Sequence, residues 1–201
     1  MVRSKMALLI LSLFAFSQPS FSAPDILFEG FYKIMSKDQH IGYSVIRYQF
    51  DPIAKKFTTQ QLTRMTVGKT DSMESLVAVA DDGLHPISYK YTSLLEKQMK
   101  SIDAKFSKGK MIASLTESGK KAVSIRNDIK PDTFLSSFLV YTMLRSPTGI
   151  QTKTASSYDA IAEEDGKVEH GTATVLKEEK YKGINAFKIE NSFKNQKFIS
   201  F

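Results

Sequence analysis

The sequence predicts a mainly β protein: a meander of antiparallel strands curved into one sheet, with one helix covering its open side. Three observations predict it. Short apolar runs recur along the chain and alternate with period two, most cleanly at Ile87, Tyr89 and Tyr91 between Ser88 and Lys90. Turn residues separate the runs, as in Asp82-Gly83, Lys108-Gly109, Ser118-Gly119, Asp165-Gly166 and Lys182-Gly183. Only one segment, Pro131 to Arg145, carries a broad apolar face at helical spacing.

Residues 1–22 read as a secretory signal. Arg3 and Lys5 start it, Met6 to Phe16 is apolar, and Ser20 and Ser22 supply small residues before a cut after Ser22. The apolar run is about half of the ~20 residues that span a bilayer, and no later run is long enough. A single β-rich domain, 23–201, is expected to follow. The chain is 201 residues long with a formal charge of +7, and the signal carries two basic residues and no acid, so the mature charge is only mildly positive. Secretion makes nucleic acid an unsuited partner and anionic lipid or wall polymer a suited one. With no cysteine in the sequence, disulfides, thiolate metal sites and cysteine nucleophiles are excluded, and a bacterial envelope fits better than an animal extracellular space.

The strands follow in order. Phe28 to Met35 is the first and His40 to Phe50 the second. In the second, the apolar phase changes from Ile41, Tyr43, Val45 to Ile46, Tyr48, Phe50, the pattern of a bulge or bend. Phe57 to Val67, rich in threonine, is the third, and Met73 to Ala80 the fourth. Ile87 to Tyr91 follows the Asp82-Gly83 turn. Leu94 to Phe106 is mixed: Ser93 to Lys97 could open a helical turn, while Met99, Ile102, Ala104 and Phe106 favour a strand. Met111 to Leu115 and Ala122 to Arg126 complete this half. The helix over 131–145 opens at Pro131 or Asp132. It buries Phe134, Leu135, Phe138, Leu139, Thr142 and Met143, and turns Ser136, Ser137, Tyr141 and Arg145 outward. Strands resume at Thr152 to Ala162, Val168 to Lys177, Asn185 to Phe193 and Lys197 to Phe201. The chain ends inside that last apolar run, the mark of a closing strand or a truncated gene product.

Chemical motifs are sparse. Gly68-Lys69-Thr70 lacks the earlier glycine of a phosphate loop, since Thr63 stands there, and reads as a hairpin turn. His40, His85 and His170 are scattered and read as surface residues, so no metal site is expected. Glu163-Glu164-Asp165-Gly166 could attract a cation but lacks the alternating ligands of a calcium loop, and reads as a solvated turn. Gly-x-Ser-x-Gly is absent. Hence no catalytic residue and no cofactor is assigned. The lysines between Lys97 and Lys121 are spread over adjacent strands, where they discourage edge pairing or form a basic face.

The aromatics are the more informative set. Tyr43, Tyr48, Phe57, Tyr89, Tyr91, Phe106 and Phe138 are distributed over several strands and the helix. They are either core or the apolar lining of a concave ligand site.

The combination of His40-Ile41-Gly42-Tyr43, Asp82-Gly83-Leu84-His85-Pro86, the Phe134 to Leu144 helix, Gly183-x-x-Ala186-Phe187-Lys188 and Lys197-Phe198-Ile199 resembles a domain family of unknown function in secreted bacterial proteins. Members look similar to the lipoprotein-carrier class, and related modules sit ahead of transglutaminase-like domains. The resemblance covers Phe28 to Phe201 and implies an antiparallel half-barrel, here of about 11–12 strands, with a helix against its concave face. It supplies no catalytic residue. The function expected is a non-enzymatic periplasmic protein that binds an apolar or lipid-like ligand. The alternative is an interaction or accessory module that docks an envelope partner, by strand addition near Phe198 to Phe201. An enzyme built on carboxylates or a serine is the third reading and would require a deep polar cleft holding two perturbed acids.

Overall fold

A computed structural model describes residues 23–36 and 38–201 of the chain; the signal-peptide reading of residues 1–22 falls outside the described residues. Eight strands form the first sheet in sequence order: β1 (Asp25–Ser36), β2 (Gln39–Asp51), β3 (Lys56–Val67), β4 (Thr70–Asp81), β5 (Pro86–Leu95), β6 (Gln98–Ser107), β7 (Lys110–Glu117) and β8 (Val123–Asp128). All neighbours are antiparallel hairpins. Among the described residues the sheet is not closed, and β1 and β8 each keep one free edge. Its turns use the expected chemistry: Gly68, Gly109 and Gly119 all have positive φ. The mixed segment after Ser93 resolves into β5, a turn at Glu96-Lys97, and β6. Helix cannot compete there, because Tyr91, Ile102, Ala104 and Leu115 must share one face across three strands.

A second sheet has the order β13-β12-β11-β10-β9, from β9 (Phe134–Leu135), β10 (Thr154–Ala162), β11 (Lys167–Tyr181), β12 (Ile184–Phe193) and β13 (Gln196–Ser200). The expected meander therefore divides into two sheets. The two-residue strand β9 also departs from the antiparallel rule, because it runs parallel to β10, with Phe134 opposite Ala160 and Leu135 opposite Ile161.

The helix is much shorter than residues 131–145. After β9 comes a 3-10 turn, Ser136–Phe138, and only Leu139–Leu144 is α-helical (α1). Phe134 and Leu135 are both buried, which one face of a helix does not achieve for adjacent residues as readily as an extended bridge between two cores. Tyr141, expected outside, packs inward: its ring lies 4.9 Å from Tyr48 and 6.0 Å from Phe57. Ser136 and Ser137 also turn inward.

The bulge foreseen at Val45/Ile46 is displaced. β2 and β3 stay in continuous register from Gly42 to Asp51. The irregularities of β2 lie against β1, at Ile26/Phe28 and at Ile34/Met35. The phase change instead divides two environments: Tyr48 faces the helix, and the Tyr43 end is exposed.

Register fixes the concave face. Tyr48, Thr59, Ala78, Tyr89, Ala104 and Ala113 align across β2 to β7 and point to the same side. The alanines let Leu135, Phe138 and Ile161 approach, and all three are fully buried against them. Each such large side chain contributes about 1.5–3 kcal/mol through burial. On the other side, Met143 of α1 packs on Ala173, Val175 and Ile189 of the second sheet. The short helix is thus the spacer between the two sheets. Among the described residues no helix is long and apolar enough to cross a membrane.

Candidate functional site

The Glu163 turn proves not to be solvated. It joins β10 to β11 and enters the mouth of the half-barrel. Glu163 is 3% exposed, and Gly166 is buried with φ +72°. A Cβ on Gly166 would lie 3.2 Å from the Tyr89 hydroxyl and 3.3 Å from Ile125 Cδ1, so only glycine lets this turn sit so deep. The first sheet holds the turn by its carbonyls: Lys100 Nζ donates to Glu164 O at 2.7 Å and Asn127 Nδ2 to Gly166 O at 2.7 Å. Lys194 Nζ donates to the Glu164 and Asp165 carboxylates, each at 2.6 Å. The turn is a plug.

Glu163 ties the plug to the cover. Ser136 Oγ donates to its Oε2 at 2.6 Å, while Ser137 N and Oγ donate to Oε1 at 3.1 and 2.7 Å. Burial pushes the Glu163 carboxyl above the usual range, and the serine hydrogen bonds pull it partly back. Tyr48 Oη donates to Ser137 O at 2.6 Å and so connects β2 to the same point. Burial pushes the Tyr48 hydroxyl up to about 12. Beside this knot lies a cleft of about 360 Å³, bounded by Gln61, Glu74 and Tyr91 of the sheet and by Ser137, Glu163 and Glu164 opposite. It is polar and acidic. Because both Glu163 oxygens are already engaged, that residue acts as a clamp.

Six of the seven expected aromatics reach the concave face. Tyr48, Phe57 and Phe138 gather around Tyr141; Tyr89 and Phe106 lie 6.2 Å apart; Tyr91 floors the acidic cleft. Tyr43 stands on the convex face, 42% exposed, beside Arg64. The rings mostly meet the cover: Phe138 is fully buried and Tyr89 is 2% exposed.

A more apolar pocket opens at one end of the first sheet. It measures about 380 Å³ and is formed where the β4–β5 loop, the β6–β7 turn and the segment after β8 meet. Pro86, Phe106, Ile129 and Pro131 give it apolar walls. Lys108, Lys110 and Lys130 stand around it. Ile129 N donates to Gly109 O at 2.8 Å and fixes the turn against the connection. Lys108 and Gly109 both take left-handed backbone, at φ 51° and 70°, which makes the tight hairpin that projects the two lysines. Lys130 is paired with Asp159, 2.7 Å away, and this partner raises its pKa. Among the described residues Lys108 and Lys110 have no carboxylate partner, although Asp128 lies opposite Lys110 in the register. Thr133 also lines the pocket, and its buried hydroxyl has no hydrogen-bond partner among the described residues.

The sequence points to Phe106 and, among the lysines of a possible basic face, to Lys108 and Lys110, but not to Ile129, Thr133 or the pocket that joins them. The three histidines are exposed; His85 pairs with Asp81 and His170 with Asp159, each at 3.0 Å.

Fold and clefts together define an open β half-barrel with a plugged concave face and pockets at its rim. A crystallised β-barrel-like protein of a domain of unknown function, DUF1849, from Brucella abortus has a similar structure. The match has a TM-score of 0.55 at 12% identity and covers 82% of this chain and 78% of that one, a likeness of fold. No protein-family model and no curated protein matches the sequence.

Proposed function

We propose that this chain is a non-enzymatic binding protein of the bacterial periplasm whose ligand is an anionic amphiphile, such as a single fatty acyl chain with a carboxylate or phosphate head. The observation that carries the reading is the end pocket: apolar walls at Phe106, Ile129, Pro86 and Pro131, with the unpaired ammonium groups of Lys108 and Lys110 at its rim. Its volume lies within the roughly 300–1,000 Å³ usual for ligand sites. Each buried methylene contributes about 0.8 kcal/mol, and the lysines select the charge of the head. The compartment rests on the signal-like residues 1–22 and the absence of cysteine.

This places the apolar ligand away from the aromatic concave face, where Phe138 and the plug already occupy the space. The test is mass spectrometry of an organic extract of the protein purified from the cells that make it. A stoichiometric anionic lipid or fatty acid supports the proposal. An empty extract, together with no uptake of added fatty acid, refutes it.

A further inference from the structure

Among the described residues β1 is one of the two free edges of the eight-stranded sheet, and it is rich in exposed apolar side chains. Ile26, Leu27, Phe28, Phe31, Tyr32 and Met35 are all exposed, and Phe31, at 75%, is the most exposed large hydrophobic among the described residues. Natural edges are normally kept short, bulged or charged. Here the two register shifts against β2 lie at Ile26/Phe28 and Ile34/Met35 and leave Phe28–Ile34 in unbroken register. The centre of that stretch is Phe31.

We infer that β1 pairs with β1 of a second copy, antiparallel, about a two-fold axis at Phe31. The sequence of the strand is self-complementary in this register. Phe31 meets its own symmetry mate. Glu29 falls opposite Lys33 of the other copy, twice by symmetry. On the concave face, Gly30, already flanked by the rings of Phe28 and Tyr32 of its own strand, falls opposite Tyr32 of the other copy, and Phe28 falls opposite Ile34, so aromatic and aliphatic side chains meet across the interface. Phe28, Gly30, Tyr32 and Ile34 share one face, and Glu29, Phe31 and Lys33 the other, as their partners on β2 show. Glu29 already accepts from Arg47 on the next strand, so pairing extends this to an Arg47, Glu29, Lys33 row across the new interface. Two-fold axes at neighbouring positions do worse: an axis at Glu29 sets that carboxylate against itself, and one at Lys33 does the same with the ammonium groups. The product is a continuous sixteen-stranded sheet.

Sedimentation of the purified protein and of two charge variants tests this. The native protein is expected to show twice the mass of one chain. Glu29→Lys alone and Lys33→Glu alone each oppose like charges twice and are expected to weaken self-association roughly tenfold or more. An equimolar mixture of the two variants restores opposite charges at both 29/33 pairs across the interface, though not the Arg47 pair within the Glu29→Lys chain, and is expected to return the dimer, which also shows that both variants are folded. A native protein that stays monomeric at high micromolar concentration overturns the inference. So do variants that dimerise as well as the native chain, and so does a β1 edge covered only by vesicles or by another protein.

Discussion

Ser137 donates twice to one oxygen of Glu163, through its backbone N–H at 3.1 Å and its hydroxyl at 2.7 Å, and so locks the helix-bearing cover to the turn that plugs the half-barrel. The contact joins residues 26 apart in sequence, at the point where both sheets meet. If it is the lock, its loss must be felt globally. Glu163→Ala leaves the half-buried donors of Ser136 and Ser137 without their acceptor and is expected to cost about 1–3 kcal/mol in denaturant unfolding. Glu163→Gln keeps an acceptor for Ser137 and is expected to stay within about 1 kcal/mol of the native protein at acidic pH.

The same pair of variants gives a pH signature. Burial raises the Glu163 pKa in the folded state above its unfolded value. The folded protein therefore holds that proton more tightly, and the stability so contributed is present at low pH and lost as pH rises through the raised value. Subtracting the Glu163→Gln profile from the native one should isolate a difference that moves against the native protein as pH rises from the ordinary carboxylate range toward neutrality. A flat difference would show that the serine hydrogen bonds offset burial and that the Glu163 pKa is not raised in the folded state.

Gly166 and Tyr89 test the depth of the plug. Gly166→Ala adds a Cβ at positive φ, 3.2 Å from the Tyr89 hydroxyl, and is expected to lower stability by about 1–3 kcal/mol. Tyr89 Oη is buried with no hydrogen-bond partner among the described residues. Tyr89→Phe removes it and should leave stability unchanged or raise it by about 1 kcal/mol, measured by thermal unfolding.

Tyr48 offers an alkaline counterpart. Its hydroxyl donates to Ser137 O, and burial raises its pKa from 10.0 to about 12. Stability from this group is present below pH 10 and lost as pH rises toward 12. Tyr48→Phe is expected to cost about 1 kcal/mol near neutrality and to lessen the alkaline loss.

The strands were legible because each half-buried hairpin writes its own alternation and turn. Ile87, Tyr89 and Tyr91 show this, as do Lys108-Gly109 and Lys182-Gly183. The 131–145 segment was misread because Phe134, Leu135 and Phe138 satisfy helical spacing while serving two different elements, β9 and the 3-10 turn. Periodicity cannot see that Ser136 and Ser137 are needed as donors by a carboxylate far along the chain. The Glu163 turn was misread for the same reason. The turn residues Glu163 to Gly166 look solvated until Lys100 of β6, Asn127 of β8 and Lys194 of the β12–β13 turn are brought to them. The end pocket is assembled from three connections, so no local pattern announces it; Phe106 and the lysines Lys108 and Lys110 were in view, but not their meeting with Ile129 and Pro131.

The proposed function stands on the lysine-rimmed apolar pocket. A direct test is titration of a fluorescent single-chain fatty acid into the native protein and into the Lys108→Glu/Lys110→Glu variant, at low and high salt. Lys108 in the β6–β7 turn and Lys110 at the start of β7 are both exposed, so the variant should fold as the native chain does. The account predicts saturable one-to-one binding to the native protein, weakened at least about tenfold in the variant, with part of the native affinity lost as salt screens the head group. Equal binding by both proteins, or no saturable binding by the native one, would contradict it.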